Sequence, residues 1–153
     1  MNYQILPSGE LIYEAEIQIT ETIEYGVSMQ ELSLGKIPPP LEGARFDQPF
    51  QGVINGPKLK GRITGTDHLY VRADGRFQLH IHAQIITDDG YNISFNSDGV
   101  SVQEEGTQNT QLKSAVSLFT LSPTYSWLNN LQIWALGTLE PINGIAYIRA
   151  YAI

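Results

Sequence analysis

Apolar and polar residues alternate with a period of two along much of this chain. In residues 11–20 every odd position is apolar and most even positions are polar. This alternation is typical of a β-strand with one buried face. A longer run, residues 77–87, repeats the pattern. Its two faces carry Phe77, Leu79, Ile81, Ala83 and Ile85 on one side and Gln78, His80, His82, Gln84 and Ile86 on the other.

Further strands are predicted between recurring turn signals. Asp74-Gly75 and Asp89-Gly90 suit tight hairpins, because both residue types tolerate positive φ. Gly65 is interpreted as a turn between two short strands, and residues 25–34 as a strand pair or a short helix. The remaining predicted strands are residues 49–55, 59–64, 69–73, 91–95, 112–121, 128–139 and 145–153.

The pattern as a whole predicts an all-β fold. No segment repeats apolar residues at the spacing of an amphipathic helix over several turns, and turn signals recur about every ten residues. We therefore expect a single antiparallel β-barrel domain over residues 1–153, with about eight to ten strands and a lumen pocket for one small ligand. Pro38-Pro39-Pro40 interrupts any regular element, so residues 35–43 are predicted to form a loop over a barrel end, either a mobile lid or a plain connector.

Composition narrows the classes of partner. The chain is 42% hydrophobic, 16% charged and carries a net charge of −7, which disfavours nucleic acids and anionic membranes. It has no cysteine, which excludes thiolate chemistry and disulfides and is compatible with a reducing cytosol. Met1–Glu10 lacks the pattern of a signal peptide, and no run approaches the length of a membrane span. We expect a cytoplasmic protein.

The strand at residues 77–87 holds the main candidates for chemistry. His80 and His82 share one face by the two-residue period alone. If that face lines the lumen, one imidazole has the position of a general base. The alternative is a solvated outer face with two incidental histidines.

Asp67 is predicted at the barrel mouth after the Gly65 turn, as a carboxylate that orients a histidine or takes a proton itself, or else as an ordinary turn residue. His-x-His also resembles half of a cupin-like metal site, which His68 with Asp67 or a glutamate would have to complete. Because residues 84–87 contain no carboxylate, we assign no metal ligands and expect no cofactor.

Substrate-binding candidates come from the aromatic and amide residues. Trp127 and Trp134 are candidates for the floor of an apolar pocket, although a core position is commoner for tryptophan. Asn129 and Tyr91 are candidate hydrogen-bond donors to a ligand oxygen. Gln84 shares the polar face of His80 and His82.

Five motifs in register resemble the domain-of-unknown-function family DUF3237. They are Gly56-Pro57-Lys58-Leu59-Lys60-Gly61, Gly65-Thr66-Asp67, Arg72-Ala73-Asp74-Gly75, Thr87-Asp88-Asp89-Gly90 and Tyr125-Ser126-Trp127-Leu128-Asn129. The resemblance covers most of the chain from about Gly43 onward. It implies a compact barrel similar to allene oxide cyclase and calycin barrels, and it implies no reaction.

The chain departs from the family at the histidine strand. Many members carry Leu-Asp-x-Arg where this chain has Leu79-His80-Ile81-His82. A charge-based mechanism is therefore not carried across. Asp67, Trp127 and Asn129 match the family pattern and are carried over as candidates.

The sequence thus favours a cofactor-independent enzyme of the isomerase, cyclase or lyase type, acting by acid/base chemistry on an apolar or carbonyl-containing small molecule. Its alternatives are a barrel that binds a small molecule without converting it, a cupin-like metal enzyme, and a structural module with a filled lumen. A homo-oligomer is left open.

Overall fold

The computed structural model describes residues 9–153. These residues form nine strands, one short α-helix and one turn of 3₁₀ helix. The strands are β1 (Glu10–Ile19), β2 (Ile23–Glu24), β3 (Ala44–Asn55), β4 (Lys60–Val71), β5 (Phe77–Thr87), β6 (Asn92–Gln103), β7 (Thr110–Phe119), β8 (Ile133–Glu140) and β9 (Ile145–Ala152). The helices are α1 (Met29–Ser33) and the 3₁₀ helix Ser126–Asn130.

Eight of the strands close into an antiparallel barrel. Each strand from β3 to β9 pairs with the next, and β1 joins β9 to β3. The closing ladder places Ile17 of β1 opposite Gly52 of β3. The two-residue strand β2 pairs with β3 outside this ring. The predicted all-β antiparallel barrel is confirmed.

Apolar side chains line the inside of the barrel. Ile85, Ile93 and Ile133, from three different strands, are each 0% exposed. Their strand neighbours Ile86 and Trp134 lie outside and are 46% and 50% exposed. The inside is the region of a small barrel from which water is excluded, so the apolar face of each strand turns inward and the polar face outward.

Short helices cover the two ends of the barrel. At one end α1 begins after Ser28, whose Oγ accepts the Glu31 N–H at 3.2 Å. The buried Leu32 of α1 packs with inward residues of β3, β4 and β5. At the other end the 3₁₀ helix inserts Leu128, which is 0% exposed, into the main core.

Gly65 corrects one sequence prediction. It lies within a continuous β4 opposite Ala83, not in a turn between two strands. A Cβ at this position would stand 2.4 Å from both the Ala83 Cβ and the His82 carbonyl oxygen. The close packing of β4 on β5 therefore requires a glycine at this position. In a sequence, a glycine needed for such packing between strands cannot be told from a glycine needed for a turn.

Other predicted boundaries hold to different degrees. The strand at residues 77–87 is confirmed, and the hairpin glycines Gly75 and Gly90 have φ of 89° and 92°. The return strand β6 extends well beyond the predicted residues 91–95. The ambiguous stretch at residues 25–34 holds α1, and β2 precedes it.

The proline loop runs between α1 and β3, and Pro39 lies beside Gly75 of the β4–β5 hairpin. Its motion as a lid stays a prediction.

Residues 1–8, on which most of the signal-peptide prediction falls, lie outside the described range. Neither helix in residues 9–153 has the length and apolar character to cross a bilayer.

Candidate functional site

A cavity of about 280 Å³ occupies the barrel lumen. Apolar side chains make up most of its wall, among them Phe50, Ile63, Leu79, Phe95, Leu139 and Ile148. Met29 and Ser33 of α1 and the turn between β8 and β9 also line it, which places one rim of the cavity at the α1 end of the barrel. The size and lining suit a small, mostly apolar molecule.

Asp67 brings a carboxyl group into this apolar wall. It is 8% exposed and faces inward from β4 with Leu69 and Ile63. Its Oδ1 accepts the backbone N–H of His80 at 3.0 Å. The β4–β5 ladder pairs Asp67 with Ile81 and next pairs Tyr70 with Gln78. The carboxylate thus satisfies a strand N–H at a gap in the ladder, which fixes its position.

The environment of Asp67 shifts its titration toward neutral pH. Burial raises the pKa of Asp67 to about 6, against an ordinary value of 3.8. The His80 N–H and the charges of His68 and His80 act in the opposite direction. A carboxyl group with this pKa is mostly ionised near pH 7 and exchanges protons readily there, which suits a general base.

Two residues that carry hydroxyl groups line the cavity. Tyr13 lies in the wall, and its complete burial raises the pKa of its phenol, which stays protonated and able to donate. Thr110 also lines the cavity, and its buried Oγ1 has no hydrogen-bond partner within residues 9–153. Buried polar groups are usually paired, so an unpaired hydroxyl beside a cavity is a candidate contact for a ligand.

The predicted lumen position of His80 and His82 is wrong. Both rings lie on the outer face of β5, and the His80 side chain is 54% exposed. The two-residue period did place them on a common face. That face meets water because the opposite one, with Leu79 and Ile81, supplies the lumen wall. The cupin-like ligand set combining Asp67 with these histidines therefore does not assemble.

His80 and His82 instead meet His68 outside the barrel. The His80 and His82 Nε2 atoms are 3.2 Å apart. His68 Nδ1 lies 2.8 Å from Asp47 Oδ1, and His80 Nδ1 lies 2.6 Å from Asp98 Oδ1. Hydrogen bonds from Tyr25 and then His68 hold the pKa of Asp47 below its ordinary range.

The predicted substrate-binding residues lie away from the described lining of the cavity. Trp134 is on the outer face of β8, and Trp127 packs partly against the core with the Lys58 Nζ 5.7 Å from its ring centroid. Tyr91 is 39% exposed and stands edge-on to Tyr125.

The two amide candidates have structural partners. Asn129 accepts the Thr120 N–H at 2.9 Å and donates to the Thr120 carbonyl at 2.8 Å, so it holds the backbone after β7. Gln84 faces outward and donates to Asn92 Oδ1 at 3.2 Å. Both amides therefore bind other parts of the chain where a ligand contact was predicted.

Sequence reasoning missed Tyr13 and Thr110 as cavity residues. Tyr13 had a usable signal, since it shares the inward face of residues 11–20 with Ala15 and Ile17. Thr110 had none, because it stands at the start of β7 after a polar loop that shows no strand alternation.

A larger groove of about 820 Å³ lies outside the barrel, across β3, β1, β9, β8 and β7. Its lining includes Leu136 and Tyr147, which are 54% and 47% exposed. It also includes the ion pair of Arg149 and Glu14, whose side chains are 65% and 50% exposed. A group in such a solvated groove keeps nearly its aqueous properties. The smaller lumen is therefore the better candidate site.

Comparison with known families places this barrel among uncharacterised relatives. Residues 7–153 match the family model described as "Protein of unknown function (DUF3237)". No curated protein matches the chain.

Solved structures share the fold at low sequence identity. A protein of unknown function from Clostridium acetobutylicum has 22% identity and a TM-score of 0.77, covering 94% of this chain and 97% of its own. A β-barrel-like protein from Acinetobacter baumannii has 24% identity and a TM-score of 0.75, with 99% of both chains covered.

A third solved structure is described as an enzyme, from Penicillium herquei. It has 24% identity and a TM-score of 0.67, covering 98% of this chain and 99% of its own. At this identity the likeness shows the barrel alone, and the site has to be judged by its own residues.

Proposed function

Because this chain belongs to the DUF3237 family, whose function is unknown, we propose a function from the lumen itself: an isomerase, cyclase or lyase in which Asp67 moves a proton on a small apolar substrate. The observation that carries the proposal is a carboxyl group, 8% exposed, in the wall of an apolar cavity. The assignment moves the base from the histidines to Asp67.

An apolar wall favours this chemistry for a physical reason. A carboxylate in water is stabilised by its hydration shell and is a weak base toward carbon acids. In the lumen that shell is largely replaced by side chains such as Leu69 and Ile63, so the charged form is less stable and accepts a proton more readily. The His80 N–H on Oδ1 holds the group in place, and Oδ2 has no hydrogen-bond partner within the described chain.

The proposed step uses only side chains of this chain. The ionised Asp67 takes a proton from a substrate carbon next to a carbonyl group, and the electron pair of the C–H bond moves to the carbonyl oxygen as an enolate. The Tyr13 hydroxyl, or that of Thr110, donates a hydrogen bond to this oxygen as its charge develops. The proton then returns to another carbon, or the enolate expels a leaving group or closes a ring.

The proposal can be tested with a probe substrate. Nitrobenzisoxazole opens when a base removes its ring C–H proton: the electron pair forms the nitrile, the N–O bond breaks and a coloured phenolate is released. We expect the protein to accelerate this reaction well beyond free acetate. Asp67→Asn should reduce the rate by about 100-fold or more, the range for removing a general base.

A matched control is Asp88→Asn, the same change at an exposed residue of the β5–β6 hairpin, which should leave the rate unaltered. The proposal fails if Asp67→Asn retains the wild-type rate, or if the wild-type protein is no faster than acetate. Binding of the probe without ring opening in either protein would instead support the non-catalytic binding barrel.

A further inference from the structure

Three histidines from two adjacent strands converge on the outer surface of the barrel. His68 of β4 stands across from His80 of β5, and His82 follows two residues later on the same face. The ring centroids of His80 and His82 are 4.8 Å apart, and those of His68 lie 6.3 Å and 6.1 Å from them. These are all the histidines of the chain.

Two carboxylates determine which ring nitrogen of His68 and of His80 is free to bind a ligand. Asp47 Oδ1 is 2.8 Å from His68 Nδ1, and Asp98 Oδ1 is 2.6 Å from His80 Nδ1. A carboxylate accepts a hydrogen bond, so Nδ1 carries the proton in the neutral ring and Nε2 keeps its lone pair. Metal-binding histidines are commonly oriented in this way by an outer carboxylate.

The spacing of the rings matches a shared ligand. A point about 3.4 Å from all three centroids lies at the centre of their triangle. A metal bound at about 2.0–2.1 Å from an imidazole nitrogen lies about 3.2 Å from the ring centroid. The 3.2 Å between the His80 and His82 Nε2 atoms is close to the separation of two nitrogens on one tetrahedral ion.

We propose that His68, His80 and His82 form a surface site for a divalent transition-metal ion, Zn²⁺ foremost. Neutral imidazole is a preferred ligand of Zn²⁺, Cu²⁺ and Ni²⁺. The net charge of −7 and the adjacent Asp47 and Asp98 favour a cation at this place. As the side chains stand in residues 9–153, no group of three or more His, Cys, Asp or Glu has the arrangement needed to hold a metal ion. Binding therefore requires the His68 ring, whose centroid is 6.3 Å and 6.1 Å from those of His80 and His82, to move toward this pair.

The site joins β4 to β5 where their backbone ladder has a gap. The ladder passes from the Asp67–Ile81 pair to the Tyr70–Gln78 pair without pairing His68 to His80. An ion held by His68 and by β5 bridges this gap from outside. Three protein nitrogens leave one tetrahedral position for water or a second ligand.

The test is titration of ZnCl₂ into metal-free protein of full length, produced without a histidine tag and followed by calorimetry. We expect one Zn²⁺ per chain. His68→Gln leaves the two histidines of β5 in place and should weaken binding at least tenfold. Asp98→Asn should weaken it about 10- to 100-fold, the range for loss of an outer carboxylate, and Asp88→Asn should not change it.

Two results would overturn the site. One is unchanged affinity in His68→Gln, which would leave a simple His-x-His pair. The other is wild-type binding no tighter than that of the variant with all three histidines replaced by glutamine. The substituted rings face solvent, and unchanged near-ultraviolet circular dichroism in each variant will show that the barrel is intact.

Discussion

The inner and outer faces of β3 and β4 hold two carboxyl groups in opposite environments. Asp67 faces the lumen, where burial raises its pKa to about 6. Asp47 faces outward, where hydrogen bonds from Tyr25 and His68 lower its pKa. The two residues belong to neighbouring register positions, since Asp47 pairs with His68 and Gln48 pairs with Asp67. Their chemistry is therefore set by the direction of the side chain and only slightly by position along the sheet.

His80 contributes to both faces. Its backbone N–H binds the Asp67 carboxylate inside, and its ring joins the cluster of His68 and His82 outside. The comparison shows that closeness to other ionisable groups and burial away from water affect a carboxyl group in different ways. The outer cluster has more ionisable groups, but the inner carboxyl group has the dry surroundings that change its reactivity.

The largest expected difference between the faces is in stability. Ile85→Ala removes a side chain that is 0% exposed in the barrel core, and should lower the free energy of unfolding by about 2–5 kcal/mol. Ile86→Ala, one residue later, removes the same atoms from a position that is 46% exposed, and should cost less than about 1 kcal/mol. Urea unfolding of both variants measures this, and equal losses would contradict the inward assignment.

Asp67→Asn should change the pH dependence of stability. The folded-state pKa is raised from 3.8 to about 6, so the ionised carboxylate is disfavoured in the folded state. Wild-type stability should fall as the pH rises through this window, by up to about 3 kcal/mol at about 1.4 kcal/mol per pKa unit.

The asparagine variant lacks this loss. It should be more stable than wild type at about pH 8 and gain nothing at about pH 4, in urea unfolding of metal-free protein at both values. A variant less stable than wild type by the same amount at both pH values would show that the carboxyl group is not disfavoured by the lumen. A gain in stability with a loss of activity is common at functional sites.

Asn129→Ala tests whether Asn129 is structural. Its side chain bonds both the N–H and the carbonyl of Thr120, and truncation leaves these groups unpaired in a half-buried place. We expect a loss of about 1–3 kcal/mol by urea unfolding and an unchanged rate of nitrobenzisoxazole opening per folded molecule. A lower rate with unaltered stability would restore Asn129 as a ligand contact.

The smallest effect is expected for the outer histidines in the lumen reaction. The His80→Gln, His82→Gln double variant keeps the His80 backbone N–H on Asp67 and changes only exposed side chains. Stability should change by less than about 0.5 kcal/mol, and the ring-opening rate should stay within about twofold at pH values well above 6. A rate as low as that of Asp67→Asn would show that the reaction depends on the outer histidines, as the sequence first suggested.

The architecture could be predicted from the sequence because the alternation of apolar and polar residues in strands and the glycines of hairpins are local patterns. The span of β5 and the turns at Gly75 and Gly90 follow from them directly. The family could be predicted as well, because five motifs stand in register between Gly56 and Asn129, within the matched residues 7–153.

The orientation of the site was not readable in the same way. The two-residue alternation predicts that His80 and His82 share a face of the strand, but it does not predict whether that face points into the barrel or out to solvent. The apolar face of β5 supplied the answer in principle, since a small lumen excludes water. Asp67 was selected as a candidate by an argument that the structure corrects: Gly65 was interpreted as a turn, and only the packing of β4 on β5 shows that Asp67 lies within a strand and faces inward.

The claim that a carboxyl group lies in a water-poor lumen is tested most directly by its own titration. The ¹³C resonance of the Asp67 carboxyl group, assigned by its loss in Asp67→Asn, can be followed against pH in metal-free protein. We predict a midpoint at about 6. A midpoint at the ordinary value of 3.8 would show that water reaches the group freely, and would contradict the account.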